Sequence, residues 1–149
     1  MATLLPNMLT AYGEAAYDHA MSTLGPLDVD RTFVRAMNDG DVETIMSLYR
    51  EETIFVQEPG SDPARGLATL REITERFLAY NPTLTVQLKQ FVQAGDIALV
   101  SVRWSLAGTD ADGAAVLIEG TDANVLRQTA SGTWFTLIDN PFHEEYLDL

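Results

Sequence analysis

AGDIALVSVRWSLAGTDADG, residues 94–113, reads as one long strand held between two turns. Side chains on a strand point alternately to opposite faces, so Val100, Val102, Trp104 and Leu106 share one face and Ser101, Arg103 and Ser105 the other. The flanking Ala94-Gly95-Asp96 and Asp110–Gly113 are hairpin-loop chemistry. Working outward, the same period predicts strands over Leu84–Gln93, Ala114–Arg127 and Thr133–Asp139, the last two joined by Ala130-Ser131-Gly132. Four strands linked by short turns make an antiparallel meander.

Upstream the period becomes helical. Residues 4–24 place Leu5, Met8, Leu9, Tyr12, Ala16 and Leu24 at roughly helical spacing, which predicts an amphipathic helix ending at Gly25-Pro26. A second helix is expected over Val29–Asn38. A third, capped by Asp41, buries Val42, Ile45, Met46 and Tyr49. A strand over Thr53–Gln57 and a turn-rich EPGSDPARG follow, then a helix over Leu67–Ala79 with Leu70, Ile73 and Phe77 on one face. Helices first and a meander after them define an α+β domain. The boundaries read as an N-terminal helical extension, residues 1–27, and a main domain, residues 28–149.

Composition narrows the partners. Of 149 residues, 46% are hydrophobic, enough for one core. Nine Lys+Arg against 22 Asp+Glu give a net charge of −13, which repels nucleic-acid phosphates and anionic membrane surfaces. No nucleic-acid or membrane partner is therefore expected. With no cysteine, thiol nucleophiles and Cys-ligated metals are excluded. His19 and His143 lack a ligating spacing, so no metal and no cofactor are expected. Lacking a basic, apolar leader, the chain is expected to be cytoplasmic.

The order of elements, carried by NDGDVETIMSLYREETIFVQEPGSDPARGLATLREITERF, AGDIALVSVRWSLAGTDADG and GTDANVLRQTASGTWFTLIDNP, resembles the nuclear transport factor 2-like superfamily. That group includes ketosteroid isomerases and SnoaL-like polyketide cyclases. The resemblance implies a cone-shaped, curved antiparallel sheet wrapped around N-terminal helices, a cystatin-like α+β fold. Several activities share this fold, so the site must be read residue by residue. The isomerase's oxyanion-binding Tyr is matched by Phe33, its protonated Asp by Asn124, and its base by Gln57 or Glu58. In SnoaL-like cyclases and limonene-epoxide-hydrolase-like enzymes the acid/base Asp lies seven residues after the last hairpin Gly, which is Asp139 here. The hydrolases' Arg falls on Arg103, the acid beside it on Ser105, and their water-holding polar pair on Phe55 and Gln57.

If Asp139 points into the cone, sharing a face with Phe135 and Leu137, then Arg103, Asp122, Asn124 and Asp139 meet at its centre. Asp139 is then the base, Arg103 and Asn124 stabilise oxyanion charge, and Asp122 tunes or shares the proton. Phe33, Phe55, Gln57, Glu58, Phe77, Leu126 and Leu137 are the expected substrate-binding residues. Three readings of Asp139 stand together: base, half of an ion pair with Arg103, or cap of the Asn140-Pro141 turn. For function, the expectation is a binder of hydrophobic, oxygenated small molecules with acid/base activity of the cyclase or hydrolase type. The alternatives are a non-catalytic binding or assembly module and a ketosteroid isomerase-like isomerase. An open cavity below about 150 Å³, against ~300 Å³ or more for ligand sites, favours the assembly module. The stripe Val100, Val102, Trp104 and Leu106 is expected on the outer sheet face, as the surface of a homodimer.

Overall fold

The computed structural model describes residues 25–144 and 147–148. The predicted helix over residues 4–24 lies outside them. Helix α1 (Pro26–Asp39) begins with proline, whose missing N–H is no loss in a first turn, and ends at Gly40 in the left-handed conformation. Asp41 caps α2 (Val42–Ser47) as expected, accepting the Thr44 N–H. Strands β1 (Ile54–Phe55) and β2 (Ala64–Arg65) are two residues each. They precede α3 (Leu67–Leu78) and then β3 (Thr83–Ala94), β4 (Ile97–Thr109), β5 (Ala115–Thr121), β6 (Asn124–Gln128) and β7 (Trp134–Asp139).

The sheet has seven strands in the order β2-β1-β7-β6-β4-β3, with β5 also paired to β4. It is mixed, because β1 runs parallel to β7. Every other pairing is antiparallel, as the short turns require. Helix α1 is moored to the sheet edge by Asn38, whose amide donates to the Leu84 carbonyl and whose Oδ1 accepts the Leu84 N–H. The core packs Ile45, Leu48 and Leu70 from the helical side against Val100, Leu106 and Leu126 from the sheet. The α+β architecture read from the periodicities is the one observed.

Two departures from regular strand geometry shape the interior. The predicted strand 114–127 is divided into β5 and β6, yet both halves keep one register on β4, with Arg103 opposite Thr121 and Val100 opposite Asn124. At the break, the Asp122 side chain accepts the Val102 N–H that would otherwise go to a backbone carbonyl. The Asp122 carbonyl accepts from Ser101 Oγ instead. The second departure is in β7. Val125 faces Ile138 while Leu126 faces Thr136, so Leu137 is an extra, bulged residue.

Gly108 marks a tight seat. A β-carbon there would collide with the Tyr80 carbonyl, where the turn after α3 crosses β4 and accepts the Thr109 N–H at 2.9 Å. Gly108→Ala is expected to destabilise the fold by about 1–3 kcal/mol, the usual cost of overpacking. Urea unfolding of variant and parent measures it, and a midpoint unchanged with an unchanged slope would contradict it.

Candidate functional site

A cavity of about 110 Å³ lies between the helices and the concave sheet. Its walls are mostly apolar, with Phe33, Val34 and Met37 from α1, Phe77 from α3, Phe55 from β1, and Val102, Trp104 and Leu106 from β4. Into it converge Asp30, Tyr49, Asp122, Asn124 and Asp139. No Lys, Arg or His lines it among the described residues. The volume is below the 150 Å³ mark that favours an assembly module.

Each polar residue is there for a local reason. Asp30 falls on the apolar stripe of α1, one turn before Phe33 and Val34 and two before Met37. Tyr49 follows α2, is buried, and donates its hydroxyl to Asp139 Oδ2 at 2.7 Å. Asp139 is brought to it by β7, which the Thr53 hydroxyl ties through the Thr136 carbonyl and the Leu48 carbonyl ties through the Thr136 N–H. Asp122 Oδ2 accepts from the Asn124 amide at 3.0 Å, and Asn124 Oδ1 accepts the Asn140 N–H at 2.9 Å.

Three carboxyl groups in apolar surroundings, without a cation, hold protons more tightly than in water. Burial pushes Asp30 up to about 7, and the charge of Asp139 adds to this. Burial likewise raises Asp122 to about 8, against the opposing Val102 hydrogen bond and with the help of Asp139 and Asp30. Asp139 rises least, to about 6, because the Tyr49 hydroxyl offsets part of the burial. The tyrosine itself is raised well above its ordinary value, first by burial and then by Asp139.

The sequence expectations divide sharply here. Asp122, Asn124, Asp139, Phe33, Phe55 and Phe77 all line the cavity. Arg103 does not: it is exposed on the opposite sheet face, in a shallow groove with Gln87, Lys89 and Glu119. Neither the oxyanion role nor the ion pair with Asp139 is available to it. The whole of β4 is inverted relative to expectation. Val102, Trp104 and Leu106 face inward, and Trp104 donates its indole N–H to the Pro141 carbonyl at 2.9 Å. They are no dimer surface. Alternation fixes which side chains share a face but not which face is covered, and the three helices cover the apolar one.

Gln57 and Glu58 are exposed beyond the short β1 and do not reach the cavity. Leu126 is buried in the core beside the cavity without lining it. Leu137 is the bulged residue and also stays out. The bulge shifts the alternation, so Asp139 shares its face with Thr136 and not with Phe135 and Leu137. Phe135 lies beneath the Arg50 guanidinium, 5.5 Å from its ring centre. Asp30 and Tyr49 were missed as site residues. The signal for Asp30 was present, since a carboxylate at the i, i+3, i+4, i+7 spacing of an apolar helix stripe must be buried with the stripe. Tyr49 belongs to the predicted buried stripe, but nothing local to it points to Asp139, 90 residues away.

A SnoaL-like domain model matches residues 31–134. The chain belongs to the SnoaL-like family. Solved structures of the same fold include a ketosteroid isomerase-like protein from Erwinia carotovora atroseptica, 22% identical with a TM-score of 0.67 over 76% of this chain and 89% of that one. Another is a conserved protein from Planctomyces limnophilus, 18% identical with a TM-score of 0.66, covering 76% of this chain and 88% of that one. A third, from Shewanella oneidensis, is a nuclear transport factor 2-like protein of unknown function, 14% identical with a TM-score of 0.61 over 76% and 92% of the two chains. At these identities the likeness concerns the SnoaL-like fold alone. No curated protein matches the chain. No helix among the described residues is long and apolar enough to cross a membrane.

Proposed function

We propose that this SnoaL-like cavity carries out general acid–base chemistry on a small, largely apolar molecule, using its own side chains. One observation carries the reading: three carboxyl groups and a tyrosine converge in an apolar cavity that no cation among the described residues lines. Burying such groups costs several kcal/mol, and a cone filled only for packing has no use for them. Asp139, oriented by Tyr49, is the base. Asp122, held by the Val102 N–H and Asn124, keeps its proton at neutral pH and serves as the acid, in the place where Arg103 was expected to meet oxyanion charge. Two carboxyl groups with separated proton affinities supply an acid and a base at one pH.

The geometry favours proton transfer of the cyclase or isomerase kind over hydrolysis. A hydrolase needs polar side chains to hold its water, and the matching positions are the apolar Phe55 and the exposed Gln57. Carboxyl-carbon NMR of the full chain tests the reading without a substrate. At least two Asp resonances are expected to titrate above about pH 5.5, and to be those lost in Asp122→Asn and Asp139→Asn. Titration of every Asp below about pH 5 would remove the acid–base pair and the reading with it.

The second reading, a non-catalytic module that assembles as a homodimer, is favoured by the cavity volume of about 110 Å³. The exposed Leu88, Val92 and Leu117 are apolar surface such a module would use. We set it second because it leaves the uncompensated carboxylates without a purpose.

A further inference from the structure

We propose that the cavity takes a small hydrophobic amine in its protonated form, with Asp30 as the counter-ion of the ammonium group. This rests on the reading of the cavity as a small-molecule site and names the class of molecule. The hydrogen-bonding inventory of the walls is one-sided. Tyr49 spends its hydroxyl on Asp139, Asn124 one of its two amide hydrogens on Asp122, Trp104 its indole N–H on Pro141, and Thr74 its hydroxyl on the Leu70 carbonyl. Among the lining residues, Thr136 alone keeps an uncommitted hydroxyl. Asp30 Oδ2, by contrast, is buried with no hydrogen-bond partner. The buried side-chain atom left without a partner is thus a carboxylate oxygen, and its complement is a ligand with N–H donors and positive charge.

Two independent features agree. Phe33, Phe55, Phe77 and Trp104 line the same cavity as the carboxylates, and aromatic ring faces attract cations. The net charge of −13 draws cations toward the protein from a distance. Among the described residues no three acidic or histidine side chains gather closely enough to hold a metal ion. Asp30 binding the ammonium leaves Asp139 and Asp122 for the proton transfer proposed above.

Isothermal calorimetry on the full chain tests this with amine and alcohol pairs of matched shape: isobutylamine with isobutanol, and benzylamine with benzyl alcohol. The amines are expected to bind at least 10-fold more tightly than their alcohols. The titratable groups facing the cavity are Asp30, Tyr49, Asp122 and Asp139, and a bound cation lowers the proton affinity of the three carboxyls. Amine binding should therefore release protons, visible as a binding enthalpy that changes with the ionisation heat of the buffer. Asp30→Asn should reduce amine affinity to that of the alcohol. Equal binding of amine and alcohol by the parent overturns the inference while leaving the small-molecule site standing. Unchanged amine affinity in a folded Asp30→Asn overturns it too, placing the amine on the acidic surface. If neither class binds at millimolar concentration, the inference and the small-molecule reading fall together.

Discussion

Asp139→Asn is expected to lower turnover of a substrate by about 10²- to 10⁴-fold, the usual contribution of a positioned general base. Its melting temperature is expected to stay at or above that of the parent. The amide oxygen can still accept the Tyr49 hydroxyl, and the substitution removes a charge buried beside two other carboxyl groups. With Arg103 on the outer face, no guanidinium is left unpaired inside. Steady-state kinetics and a melting curve on the same preparation separate the roles. A loss of about 3–5 kcal/mol with retained turnover would make Asp139 a structural residue, since that is the cost of breaking a buried pair.

Stability should fall as pH rises from about 4 to 8, opposite to ordinary acid denaturation. Asp139, Asp30 and Asp122 bind protons with values of about 6, 7 and 8 in the folded chain, against 3.8 for an ordinary Asp. The folded state thus holds more protons than the unfolded one across this window. The stabilisation is complete below about pH 4 and is lost as pH passes through the folded values, at about 1.4 kcal/mol per pH unit for each proton retained. Glu43 and Glu144 are shifted down by Arg71 and Lys89 and act in the opposite sense, but both lie in solvent where such pairs contribute little.

Self-repulsion of a chain with net charge −13 also weakens the fold at high pH, so the decisive comparison is between two variants of equal charge. Asp30→Asn should raise the melting temperature by several degrees at pH 8 and leave it unchanged at pH 4. Asp62→Asn, on the exposed turn after β1, removes the same charge from the surface and should leave the melting temperature unchanged at both pH values. Equal effects of the two substitutions would assign the pH dependence to overall charge and not to the cavity.

Local periods and their interruptions are legible in the residues themselves. Helical spacing around Phe33 and Leu70, the Asp41 cap, and alternation in β4 and β7 depend on neighbours within a few residues, and each element formed close to where they place it. The pairing of Asp122 with Asn124 on one face was legible for the same reason. Direction, by contrast, comes from packing. Nothing within β4 says which face the helices cover, so Arg103 and Trp104 exchanged places relative to expectation. Nothing within TLID, residues 136–139, announces that Leu137 will be bulged, because a bulge is a mismatch in length between two strands and exists only once β6 is paired to β7. That extra residue turns Asp139 into the cavity, where Tyr49 and Asp30 reach it from parts of the chain about 90 and 110 residues earlier. The acid cluster is a product of packing, since the burial that raises its proton affinities arises only when helix and sheet close over it.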